Sequence, residues 1–249
     1  MLNANRMATN IRRLTHELKR HQLIVDPSRW ILYEAASNIE SGPPDKWEIY
    51  IHPEQPLEFV KAESDPRLKP DIFCAIKATN QDNWPVSYLR LVLRVWSTRP
   101  EISFRSDWDS EEVKQKFDRL HSYKRVMFRC HYDNCSQNQH APIFHLQFGG
   151  DPKNGEFCWF PHFLELPHFP SPPIDLVLAC EHVVATFFPS AYRELCQNRT
   201  WISIIRESES FFMRKFYGIC ERHFTRVSQD QTFLEHLCSH GRTFSASLS

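Results

Sequence analysis

The sequence predicts an α+β fold, a mostly antiparallel sheet covered on one face by N- and C-terminal helices. Three observations predict it. Apolar residues recur at helical spacing before residue 42 and again after residue 171. Between these regions the period falls to two, in five to seven short runs. Tight connections join those runs, which favours antiparallel pairing. The expected organisation is one α+β domain over residues 1–238: a helical segment at 1–45, a sheet region at 46–165 and a helical region at 171–238. A flexible tail follows at 239–249.

The elements follow in order. Residues 5–22 make an amphipathic helix with Ile11, Leu14 and Leu18 on its apolar face; Met7 is a second possible start of translation. A second helix at 27–40 opens on Asp26-Pro27, a capping residue followed by proline at the first helical position. "SGPPD" (41–45) then breaks the helical period. "WEIYIH" (47–52) alternates Trp47, Ile49 and Ile51 against Glu48, Tyr50 and His52. Strands follow at 71–78, 88–97 and 101–105. A short helix at 109–121 starts on Asp109 and Glu112 and carries Val113, Phe117 and Leu120. Residues 124–132 and 143–149 are strands again, and "GGDPKNGEFCWF" turns into a last short one. Ser171-Pro172-Pro173 begins an apolar helix at 174–188, which Pro189 stops or kinks. Trp201, Ile205, Phe212, Phe216 and Ile219 mark a final helix at 200–224.

Composition excludes several functions. With 41% hydrophobic residues the chain is globular. Thirty Lys and Arg balance thirty Asp and Glu, so any nucleic-acid role needs a local patch. No apolar run of about 18 residues occurs, so no membrane contact is expected. The N-terminus lacks the apolar core of a secretory signal. The eight cysteines are scattered with no C-x-x-C, which reads as reduced thiols in a cytoplasmic protein. Six glycines cannot build a G-x-G-x-x-G, a P-loop or a nucleophile elbow, and no cofactor is expected.

Alternation sorts the strands into two faces. Leu89, Leu91, Leu93 and Val95 share one side with Val126, Phe128, Cys130, Tyr132, Phe144, Leu146 and Phe148. If these sides form the core, the other collects Arg90, Arg94, Trp96, Arg105, Arg129, His131, His145 and Gln147. Helices on one face would leave this one open. Arginine forks grip phosphate and an aromatic ring stacks on a base, so the face is the candidate binding surface. An ordinary solvated sheet face and a protein-partner surface are the other readings.

Other constellations are weaker. Cys130, Cys135, His140 and His145 are spaced by five, with His131 near, but alternation sends Cys130 and His145 to opposite faces; no metal is expected. His131 and His145, on adjacent strands of the arginine face, are the candidate catalytic pair for metal-independent phosphodiester cleavage, one as base and one as acid. "HELKRH" (16–21) places its histidines five apart, about 140° round a helix, and cannot act as a zincin motif. "DWDSEE" (107–112) reads as helix capping rather than magnesium binding. Asp175 and His182 share a helix face, which suggests a packing hydrogen bond.

"PIFHLQFGG" followed by "PPIDLVLACEHVVATFFP" resembles an uncharacterised bacterial family over residues 120–190. The resemblance implies a bacterial cytosolic protein of a defence or mobile-element system, and carries over no catalytic residue. The function expected is a non-enzymatic accessory module whose basic sheet face contacts a nucleic-acid or protein partner. The alternatives are a histidine-pair nuclease and a zinc-stabilised binding module.

Overall fold

A computed structural model describes residues 4–79, 86–97, 125–134, 144–148, 157–158, 169–225 and 233. Helix α1 (Ala4–Arg20) buries Met7, Ile11, Leu14 and Leu18, the stripe its spacing demands. It closes on Gln22 in the left-handed region (φ 53°), with Gln22 N–H donating to the Lys19 carbonyl and Leu23 N–H to the Leu18 carbonyl. That is a Schellman closure without its usual glycine. Helix α2 (Asp26–Ser41) buries Leu32, Ala35, Ala36 and Ile39. Asp26 is already helical, so the cap expected of it falls to Val25, which lends no side chain.

The sheet comprises β1 (Lys46–Ile51), β2 (Leu57–Glu58), β3 (Leu68–Thr79), β4 (Tyr88–Ser97), β5 (Arg125–Asn134), β6 (Phe144–Phe148), β7 (Phe157–Cys158) and β8 (Phe169–Pro170). Its order is β1-β3-β4-β5-β6-β8, with β2 also on β3 and β7 also on β5. Every pairing is antiparallel except β5 with β7. The α+β class read from the sequence is thus the observed one. Helices α3 (Leu176–Phe187), α4 (Pro189–Leu195) and α5 (Arg199–Thr225) complete the described elements.

Helices from both chain ends join one face of the sheet in a single core. Ile49, Ile51, Ile72, Cys74, Ile76, Leu89 and Leu91 from the strands share it with Met7, Leu14, Leu32, Val177, Val184, Trp201 and Phe212 from the helices. Trp47 of β1 meets Phe212 of α5 edge-on, with ring centroids 6.4 Å apart. Ser28 ties α2 to β2, its hydroxyl donating to the Glu58 carbonyl (2.9 Å) and accepting from the Glu58 N–H (2.7 Å).

Several local expectations change. Pro189 both ends α3 and starts α4, because a ring without N–H fits a first turn. Ser190 of that turn donates its N–H (3.0 Å) and its hydroxyl to Glu63. Asp175 does not bond His182, which is exposed. It caps α3 instead, accepting from Leu178 N–H (2.8 Å), and takes a second bond from the Ser208 hydroxyl (2.9 Å). A register shift between Val95 and Trp96 interrupts the pairing with β5, where sequence alternation runs unbroken through Val126. The strand read at 101–105, the helix read at 109–121 and the tail lie outside the described residues.

Candidate functional site

The second face of the sheet is built by register. Directly opposed residues share a face, so the pairings read as rows across the strands. One row is Glu58, Asp71, Arg94 and Arg129, from β2, β3, β4 and β5. The next is Phe73, Val92, His131 and Gln147. A third runs Tyr50, Ala75, Arg90, Asp133, His145 and Pro170. A fourth holds Glu48, Lys77 and Tyr88. Arg90, Arg94, Arg129, His131, His145 and Gln147 thus stand at register positions of one face, on three strands that pair, whereas the shift after Val95 sets Trp96 opposite Val126.

The face is not the open basic surface that was expected. Arg94, Arg129 and His145 are only 3%, 4% and 3% exposed. A buried guanidinium must find a partner, and Arg94 finds several. Its Nε and one terminal nitrogen grip the Asp71 carboxylate at 2.8 and 3.0 Å, and the terminal nitrogen also reaches the Pro53 carbonyl (3.2 Å). Its guanidinium carbon lies over the ring of Phe73 (4.8 Å from the centroid) and over that of Trp96 (4.9 Å). Trp96 spends its indole N–H on Asp71 at 2.6 Å rather than offering a free stacking platform. Burial pushes the Asp71 carboxyl up, and the Arg94 fork and the Trp96 donor oppose that push. The fork that would have gripped a phosphate already grips a carboxylate.

Nearer the other end, Arg90 is half-buried opposite Asp133. Burial pushes the Asp133 carboxyl up to about 6, against the pull of Arg90 and the Asn134 N–H. His145 stands opposite Asp133, and His131 opposite Gln147, so the two histidines are diagonal neighbours rather than a direct pair. Arg105, Cys135 and His140 lie outside the described residues. Cys130 sits opposite Phe148, on the face away from His145, and burial pushes its thiol up to about 12. No group of three or more His, Cys, Asp or Glu able to hold a metal ion occurs among the described residues.

Sequence reasoning missed the acids. Glu58, which also pairs with Lys69, lies on a two-residue strand between the predicted strands at 47–52 and 71–78. Asp71 was placed in a strand, but its side was never compared with that of Arg94. Asp133 fell one residue beyond the predicted strand end. The same alternation that found the arginines, carried one residue further along β5 and applied to β3, places Asp71 and Asp133 among them.

What the register defines is an α+β protein whose second sheet face is charge-paired and buried at the Asp71–Arg94 end and exposed at the Glu48–Tyr88 end. Comparison with protein-family models, curated proteins and solved structures finds no match to the chain. The family likeness read over residues 120–190 therefore transfers no residue role.

Proposed function

We propose that the protein is a non-enzymatic accessory module that binds a protein partner through the open corner of this face. One observation carries the reading. Tyr50 and Tyr88 are 59% and 40% exposed on adjacent rows, beside Lys77, Glu48 and the half-buried Arg90. Tyrosine supplies area and a hydrogen bond at little entropic cost, and tyrosine and arginine are both enriched where proteins meet. Lys77 and Glu48 pair at 3.1 Å, which leaves the corner locally balanced and favours a protein over a polyanion.

The histidine-pair alternative draws less support, because a residue as buried as His145 is out of reach of a polymeric substrate. The setting we infer is the cytoplasm: Cys74, Cys130, Cys180, Cys196 and Cys220 are free thiols. Among the described residues no helix is long and apolar enough to cross a membrane.

The test is affinity capture from the source cell with the native chain and with the Tyr50→Ala/Tyr88→Ala double variant. One protein retained by the first and lost by the second, at equal thermal stability, is the expected result. Salt-dependent binding of RNA or DNA that weakens in Arg90→Ala would overturn it in favour of nucleic acid.

A further inference from the structure

In a β-strand the N–H and C=O of one residue point to the same edge, and successive residues alternate between the two edges. The bonds around β3 fix that alternation. Lys77 accepts from the Ser87 N–H on the β4 side (2.9 Å), and Pro70 accepts from the Phe59 N–H on the β2 side (3.0 Å). Odd-numbered residues of β3 therefore face β4, and even-numbered ones face β1 and β2. Glu48 and Tyr50 stand opposite Lys77 and Ala75, so their own N–H and C=O groups point away from β3, along the outer edge of β1.

The same edge is closed at β2 and open at β1. Glu58 of β2 stands opposite Asp71, so its backbone groups also point outward. Its N–H donates to the Ser28 hydroxyl oxygen (2.7 Å), and its C=O accepts from the Val25 N–H (3.2 Å). Val60 N–H, just beyond, donates to the Leu23 carbonyl (2.9 Å). Among the described residues nothing takes the outward N–H or C=O of Glu48 or of Tyr50. Both residues are exposed, and β1 carries neither the proline nor the bulge that commonly blunts an edge. The open stretch is bounded at both ends. Lys46 N–H is spent on the Pro43 carbonyl (3.2 Å), and the His52 carbonyl accepts from the Gln55 N–H (3.0 Å).

We propose that β1 pairs with β1 of a second copy of the chain, antiparallel about a two-fold axis at Ile49, so that two sheets become one. A two-fold interface needs a self-complementary patch, and this edge supplies one. With Ile49 opposite its own copy, Glu48 of each chain stands opposite Tyr50 of the other. Each such pair exchanges two backbone bonds, and all the free donors and acceptors of both chains are used. Moving the axis one residue either way spoils the match. An axis at Glu48 sets two carboxylates face to face and asks Tyr50 to pair with Lys46, whose N–H is taken. An axis at Tyr50 asks Glu48 to pair with His52, whose C=O is taken. The pairing uses backbone groups alone and does not rest on a protein partner at Tyr50 and Tyr88.

Sedimentation equilibrium of the pure full chain between about 1 and 100 μM tests the pairing, a range suited to a small, reversible interface. The average mass is expected to rise from one chain toward two. Amide hydrogen exchange over residues 46–51 is expected to slow several-fold across the same range. Glu48→Pro is expected to hold the mass at one chain throughout. It removes an outward N–H that β3 does not use, a place where an edge strand accepts proline. Glu48→Gln, which keeps that N–H, is expected to retain the dimer. The pairing is overturned if the native chain keeps the mass of one chain at every concentration, or if it associates with exchange over 46–51 unchanged. Association that survives Glu48→Pro at an unchanged melting temperature overturns it too, as does its loss in Glu48→Gln. Should Glu48→Pro lower the melting temperature, exchange in the native chain decides alone. No other protein is present, so failure here is distinct from failure of partner capture.

Discussion

Asp175 shows how one side chain can serve structure and still titrate. It is fully buried, caps α3 and accepts from Ser208, yet burial pushes its carboxyl up to about 6 from an ordinary 3.8. A carboxyl raised in the folded state binds its proton more tightly there than in the unfolded chain. Its contribution is therefore fully present below about pH 4 and is lost as pH rises through about 6. Asp175→Asn keeps an acceptor for Leu178 and removes the titration. The difference in unfolding free energy between this variant and the native chain, from urea melts, is expected to shift in the variant's favour as pH rises from 4 to 6. The slope is at most about 1.4 kcal/mol per pH unit. Asp175→Ala is expected to cost about 2–3 kcal/mol, since it strands the Leu178 N–H and the Ser208 hydroxyl in the core. Arg94 obeys the same logic of buried partners. Arg94→Ala leaves Asp71 charged and buried and is expected to cost about 3–5 kcal/mol, and Arg94→Met with Asp71→Leu to recover most of that in the same assay.

At the scale of elements, the helices were legible because their apolar stripes are regular, and their ends were not. The Schellman closure of α1 puts a glutamine where the backbone must turn left-handed, a conformation that costs an L-residue energy. Gln22 is exposed, so Gln22→Gly is expected to raise stability by about 0.5–1 kcal/mol, seen as a higher melting temperature. No apolar pattern announces this turn, because it lies in the backbone. The β-strands divide similarly. In β1 every second side chain is buried, as its alternation required. The two-residue strands β2 and β8 are too short to carry a period, and they exist because β3 and β6 offer edges for them. Asn198 was also invisible: its side-chain oxygen accepts from Thr200 (2.8 Å) and Trp201 (3.2 Å) to start α5, and its amide reaches Glu17 of α1 at 2.7 Å.

At the scale of the whole molecule, chain ends that lie far apart in sequence share one core. Glu17 with Asn198, and Arg6 with Glu207, tie the first helix to the last. Met7, Ile11 and Leu14 are buried in the same cluster as Trp201 and Phe212. Unfolding is therefore expected to be cooperative across both ends. Far-ultraviolet dichroism and tryptophan fluorescence should give coincident melts, and Leu14→Ala should lower both together by about 2–5 kcal/mol of stability. Melts that separate would show that α1 unfolds independently.

By itself the sequence determined the α+β class and the main helices and strands. These follow from local periods of 3.6 and 2, which are properties of the backbone. Only the tertiary structure decided what the second face is. Whether an arginine meets solvent or a carboxylate depends on which strands become neighbours and in what register. Asp71 and Arg94 lie 23 positions apart and met only through the β3–β4 pairing. Pairing turned an expected basic surface into a face that is buried and charge-paired at its Asp71–Arg94 end.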